Sequence, residues 1–278
     1  SMSGAGSFAT TTETTYRIVP ALFGACVVLL FFTLGSGIGR AAALMGAVLA
    51  AVSPAMVFYS RYYIQEMLLV FFTFGLIVSG WRYLCSGSAW WAAAAGLAAA
   101  LMFATKETAV LAITAMLAGV IVTAMSMGRG GLKVFWRSQV AGRAKWWHVA
   151  LGLGAAALVY VAFFSSFFTS FQGVTDSFLA YATYLERGSG GGEHNPTWYY
   201  YFQTLFFSKG ERGRYWSEGL ILLLALIGTV AGLTGKGLGG GNTVFARFLA
   251  AYAIALTAIY SLIPYKTPWC AISFLQGM

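Results

Sequence analysis

IQEMLLVFFTFGLIVSGWRYL, residues 64–84, carries one acid at its start, Glu66, and one base near its end, Arg82, around an otherwise apolar run. At about 1.5 Å rise per residue a helix of this length reaches across the ~30 Å hydrocarbon core of a bilayer. Similar apolar runs lie at about 18–36, 41–59, 89–105, 108–127, 147–168, 217–234 and 244–264. Together they predict an all-α fold: one polytopic transmembrane bundle over residues 1–278, with about eight transmembrane helices. The remaining long stretch, 169–216, is expected to be an outer loop that carries interfacial helices.

Composition agrees with the runs. Of 278 residues, 59% are hydrophobic and 9% charged, and mean hydropathy is +0.75. A soluble domain carries roughly a quarter charged residues, so this chain could not cover a water-facing surface. The net charge of +9 and pI near 9.6 do not describe a nucleic-acid binder, because the bases lie between apolar runs and not on one wetted face. Cys26, Cys85 and Cys270 are odd in number, lie in or beside apolar runs, and have no metal-type spacing with His148 or His194. They read as ordinary lipid-facing or core thiols. Residues 1–17 lack the basic and apolar segments of a signal peptide.

Alternating the eight runs sorts the charges. All eight acids fall on one side with eight bases, and that side is neutral; the other side holds nine bases and no acid. The positive-inside rule makes the acid-free side cytoplasmic and puts both termini outside. The cytoplasmic segment 128–145 mixes five bases with Phe135, Trp136 and the adjoining Trp146, a composition suited to lying on an anionic leaflet, although a simple topology determinant is the preferred reading.

Ionisable groups at membrane depth are costly and mark function, which directs attention to the outer ends of the helices. In Ser53-Pro54 to Glu66, Pro54 loosens a helix end and presents Arg61 and Glu66 together; the guanidinium suits a phosphate, the carboxylate a divalent metal ion or a hydroxyl. Lys106-Glu107 forms the shortest outer turn, a structural ion pair or a phosphate contact. In the outer loop Val174, Phe178, Tyr181 and Leu185 recur at helical spacing, Gly188–Gly192 makes a hinge, and His194 precedes a second aromatic helix from Trp198. A histidine there can donate to phosphate or move a proton near neutral pH. Lys266, between Pro264 and Pro268, is an interfacial anchor that can also hold an anionic headgroup.

These segments resemble the GT-C superfamily of membrane glycosyltransferases, in particular protein O-mannosyltransferases, aminoarabinose transferases and flippase-activity-associated proteins. The resemblance rests on Arg17 to Gly24, Ser53-Pro54 with Ser60-Arg61 and Glu66, Lys106-Glu107, His194 with Pro196 and Trp198-Tyr199-Tyr200, and Tyr265 to Trp269. It implies transfer of a sugar from a polyprenyl-phosphate-linked donor to a glycan or protein acceptor, on the extracytoplasmic face of a prokaryotic plasma membrane. It further implies that Glu66 and His194 are catalytic, with Glu66 at the donor phosphate or a metal. Arg61, Lys106, His194 and Lys266 would neutralise the lipid phosphate. The family's catalytic aspartate sits in a first outer loop that would lie upstream of Ser1; Glu13 is the only acid before the first run. The alternative reading is a non-catalytic membrane protein that assists flipping or handling of lipid-linked glycans.

Overall fold

The computed structural model describes residues 12–189, 196–209 and 215–278, and these form a helical bundle. Helix α1 (Glu13–Phe31) runs through a 3-10 turn into α2 (Gly35–Ile38), followed by α3 (Arg40–Val52), α4 (Pro54–Ser60), α5 (Glu66–Ser86), α6 (Ala89–Thr105) and α7 (Ala109–Met125). Then come the short α8 (Gly131–Phe135), α9 (Trp146–Phe164), α10 (Gln172–Ser189) and α11 (Tyr200–Phe206). A two-residue hairpin pairs β1 (Ser208–Lys209) with β2 (Tyr215–Trp216). The chain continues as α12 (Gly219–Thr234), α13 (Thr243–Leu262) and α14 (Ala271–Leu275).

Each apolar run of the sequence has a helix at its position. By length and composition, four spans among the described residues can cross a membrane: Glu13–Ile38, α5, α9 and α13; the bent pair α3–α4 makes a fifth. Helices α6, α7 and α12 are equally apolar but shorter, at 17, 17 and 16 residues, or about 25 Å. Leu151, Leu153 and Leu158 on α9, and Leu220, Leu223, Leu226 and Ile227 on α12, are exposed on the outside of the bundle, where lipid is their natural solvent.

The core lies between α5, α6, α7, α13 and α14, around Met67, Phe74, Met102, Ala115, Tyr252, Leu256 and Ile272. Small residues set the helix approach on its flank. The Ala-rich α6 meets α9 so closely that a Cβ on Gly96 would fall 1.9 Å from the Gly152 carbonyl oxygen. This is the packing the alanine and glycine content of 89–105 predicts.

Three features depart from the sequence reading. The run at 41–59 is two helices meeting at 60°, because Pro54 at the first turn of α4 cannot continue the hydrogen-bond ladder of α3. The run at 147–168 stops as a helix at Phe164: Ser166, Phe167 and Phe168 all take positive φ, a left-handed reversal that costs about 1–2 kcal/mol per residue and must be held by its surroundings. The segment after Pro264 does not stay at the surface; α14 folds back inward and is buried against α4, α5 and α13.

The connections sort to two ends. At one, the Asn242 N–H donates to the Gly37 carbonyl (2.7 Å), the Tyr83 hydroxyl to the Arg143 carbonyl (3.1 Å) and Arg247 Nη1 to Ser126 Oγ (2.8 Å). These loops carry bases and no acid. At the other end lie Glu66, Lys106, Glu218 and Lys266, held together by the contacts described next.

Candidate functional site

Helix α5 begins with Glu66, whose side chain is 2% exposed. A buried carboxylate needs a partner, and Lys106 supplies it: α6 ends at Thr105, Lys106 turns extended, and its ammonium donates to Glu66 Oε1. The same oxygen faces the Cys270 thiol at 3.7 Å, and Cys270 Sγ lies 3.1 Å from Thr267 Oγ1. Burial pushes the Cys270 thiol up from its usual value. Three segments 40 and 204 residues apart thus converge on one carboxylate oxygen.

The Lys106 partner is not its neighbour Glu107, which is exposed. Arg61 and Glu66, expected together, face different ways: Arg61 is exposed, while Glu66 turns inward to Lys106. Arg61 instead joins Arg17 in lining a groove of about 530 Å³, walled by Val52, Pro54, Val57, Phe58 and Tyr62. Arg17 also pairs with Glu13 one helical turn away, at 3.1 Å and in solvent, where such a pair contributes little. Lys266 is buried, and its ammonium donates to the carbonyls of Ile263 (2.7 Å) and Pro196 (3.3 Å). It fastens the turn after α13 to the start of the α11 segment, and burial pushes it below the usual lysine value. His194 lies outside the described residues.

A metal role for Glu66 finds no support in its surroundings. Its oxygen already faces an ammonium, and among the described residues no three His, Cys, Asp or Glu side chains come together.

Glu218, not singled out from the sequence, is a central piece. It is 2% exposed, and its Oε1 accepts from the Ser53 hydroxyl and the Ala55 N–H, both at 2.7 Å. Ser53 Oγ in turn accepts from the Met56 N–H at 3.1 Å. The carboxylate thus closes the open N-terminus of α4 at the 60° bend, and the Glu218 N–H donates to the Leu205 carbonyl of α11. No cation neutralises it among the described residues. The signal was present: Glu218 opens an apolar run just as Glu66 does.

A second, apolar groove of about 690 Å³ runs between α11, α12 and α13, walled by Trp198, Phe202, Phe206, Leu222, Ile254 and Leu262. Interfacial helix, bent span and buried ion pair therefore occupy one end of the bundle, with lipid-like grooves opening beside them.

The family model for dolichyl-phosphate-mannose-protein mannosyltransferase matches residues 7–142. The fold is similar to the crystal structure of ArnT from Cupriavidus metallidurans in the apo state, with a TM-score of 0.61 and 15% identity, over 94% of this chain and 43% of that one. The chain therefore spans less than half the length of that protein. No curated protein sequence matches it. The likeness to that structure is one of fold, and the family model covers just under half of this chain.

Proposed function

We propose that this chain is the donor-handling membrane portion of a GT-C glycosyltransferase, which transfers a sugar from a polyprenyl-phosphate-linked donor to a glycan or protein acceptor on the extracytoplasmic face. The observation that carries the proposal is the groove beside Arg61 and Arg17. It sets guanidinium groups, which suit a phosphate, against apolar and aromatic walls that suit an isoprenoid chain.

In this reading an acceptor hydroxyl attacks the anomeric carbon, the bond from that carbon to the phosphate oxygen breaks, and negative charge returns to the lipid phosphate. Arg61 and Arg17 stabilise that charge as it develops. Lys106 is held by Glu66, so it reaches the phosphate only by exchanging that carboxylate. Glu66 and His194 are the residues proposed for proton transfer at the acceptor, and Lys266 fixes the turn after α13 through its two carbonyl contacts.

The test is sugar transfer by the purified chain in proteoliposomes, from a radiolabelled polyprenyl-phosphate sugar to added acceptor. Glu66→Gln and Arg61→Ala should each reduce turnover at least 100-fold, the scale of a lost charge-stabilising contact, with the protein still folded. Undiminished turnover in both variants would remove these residues from the site. Donor binding without transfer by the wild type would favour the reading in which the chain assists flipping or handling of the lipid-linked glycan.

A further inference from the structure

The segment joining α7 to α9 lies at the other end of the bundle and has no part in the proposed donor site. Both its ends are tied to apolar helices, so residues 128–145 cannot leave the membrane surface. α8 continues without a break through a π-turn over Trp136–Val140. Leu132 (60%), Trp136 (58%) and, where the segment enters α9, Trp146 (83%) are exposed apolar side chains. Arg129, Lys133, Arg137 and Lys145 alternate with them and are exposed too.

The segment is built and not slack. Arg143 folds back to donate from Nη1 to the Ser138 and Gln139 carbonyls at 3.2 and 3.1 Å, which fixes the end of the π-turn. Its own carbonyl accepts from the Tyr83 hydroxyl of α5, and that hydroxyl lies 3.0 Å from His148 Nδ1 in the first turn of α9. One of the five bases thus holds the shape. The other four make no hydrogen bond or ion pair within the described residues, and no acid occurs anywhere between Glu107 and Asp176.

Unpaired bases interleaved with exposed tryptophan and leucine, at the membrane surface and with no acid to answer them, have one complementary partner. We propose that residues 129–146 form a binding site for anionic phospholipid headgroups of the adjacent leaflet: Lys133, Arg137, Arg129 and Lys145 contact the phosphates while Leu132, Trp136 and Trp146 sit among the acyl-chain ends. The apolar side chains favour a bilayer over an acidic protein or a nucleic acid, which would leave them wet. The proposal is independent of the glycosyltransferase reading.

The test uses the full chain in nanodiscs of phosphatidylcholine mixed with phosphatidylglycerol, with retained lipids counted by native mass spectrometry. Lys133→Gln/Arg137→Gln should weaken phosphatidylglycerol retention ~30-fold, from about 1 kcal/mol of attraction per base near the surface. The charge-matched control Arg40→Gln/Lys236→Gln, at exposed positions of the same end, should weaken it less than threefold. Trp136→Ser should lower retention of both lipids with no change in their ratio. Equal losses in the two double variants would overturn the proposal by showing only a diffuse positive end. So would a wild type that retains the two lipids in the proportion supplied, or one that releases phosphatidylglycerol only when an acidic protein is added. Equal melting temperatures keep misfolding out of the comparison.

Discussion

Replacing Glu218 by alanine removes the only acceptor among the described residues for the Ser53 hydroxyl and Ala55 N–H at the bend between α3 and α4. Each hydrogen bond to a charged group is worth about 1.5–3 kcal/mol in a protein interior, and polar contacts between membrane helices measure nearer 0.6–1.7 kcal/mol. Two such bonds, with both donors left buried, bring the expected loss to about 2–4 kcal/mol. Glu218→Gln keeps an acceptor oxygen but loses the charge facing the α4 N-terminus, a further ~0.5–1 kcal/mol effect, so it should fall between alanine and wild type. Equilibrium unfolding in mixed micelles would give the energies. Spin labels at Leu44 and Phe58, exposed on α3 and α4, would report the 60° bend by dipolar spectroscopy, with a broadened distance distribution in the alanine variant. A Glu218→Ala protein within ~0.5 kcal/mol of wild type, with an unchanged distribution, would refute the idea that this carboxylate holds the bend.

Lys106→Met should cost about 3–5 kcal/mol, because it leaves Glu66 charged and unpaired, and Lys106→Met/Glu66→Gln should recover much of the loss in the same unfolding assay; a double variant as weak as the single would contradict the pairing. Gly96→Ala places a methyl against the Gly152 backbone and should cost about 1–3 kcal/mol, read as a lower melting temperature. The thiols should separate by environment: exposed Cys85 reacts with maleimide at neutral pH, while buried Cys270, its value raised by burial, stays a thiol and reacts only as pH climbs past the ordinary cysteine range. Fast labelling of Cys270 at pH 7 would mean that the Glu66 cluster is open to water.

The fold was legible where apolar length governs. Residues 89–105 form a helix with those same limits, because lipid leaves a backbone no alternative to internal hydrogen bonds. What the sequence could not show was the direction of side chains. Lys106-Glu107 reads as a local pair, yet the lysine crosses to Glu66, since only the tertiary fold decides which carboxylate is buried and in need of a cation. Arg61 and Glu66, five residues apart, separate because one ends an exposed helix and the other opens a buried one. Lys266 looks like a headgroup contact from its prolines, but it binds two main-chain carbonyls that only the docking of the α11 segment brings near. The left-handed reversal at Ser166–Phe168 has no glycine to announce it, and the hairpin of β1 and β2 is too short for any alternation to register.

The most direct measurement is binding of a polyprenyl-phosphate sugar to the detergent-purified chain, followed by native mass spectrometry for wild type, Arg17→Ala/Arg61→Ala and His194→Ala. The account predicts one bound donor on the wild type, loss in the double arginine variant and weakened binding without His194. Absence of any bound donor on the folded wild type, or equal binding by all three proteins, would contradict a donor site at this end of the bundle.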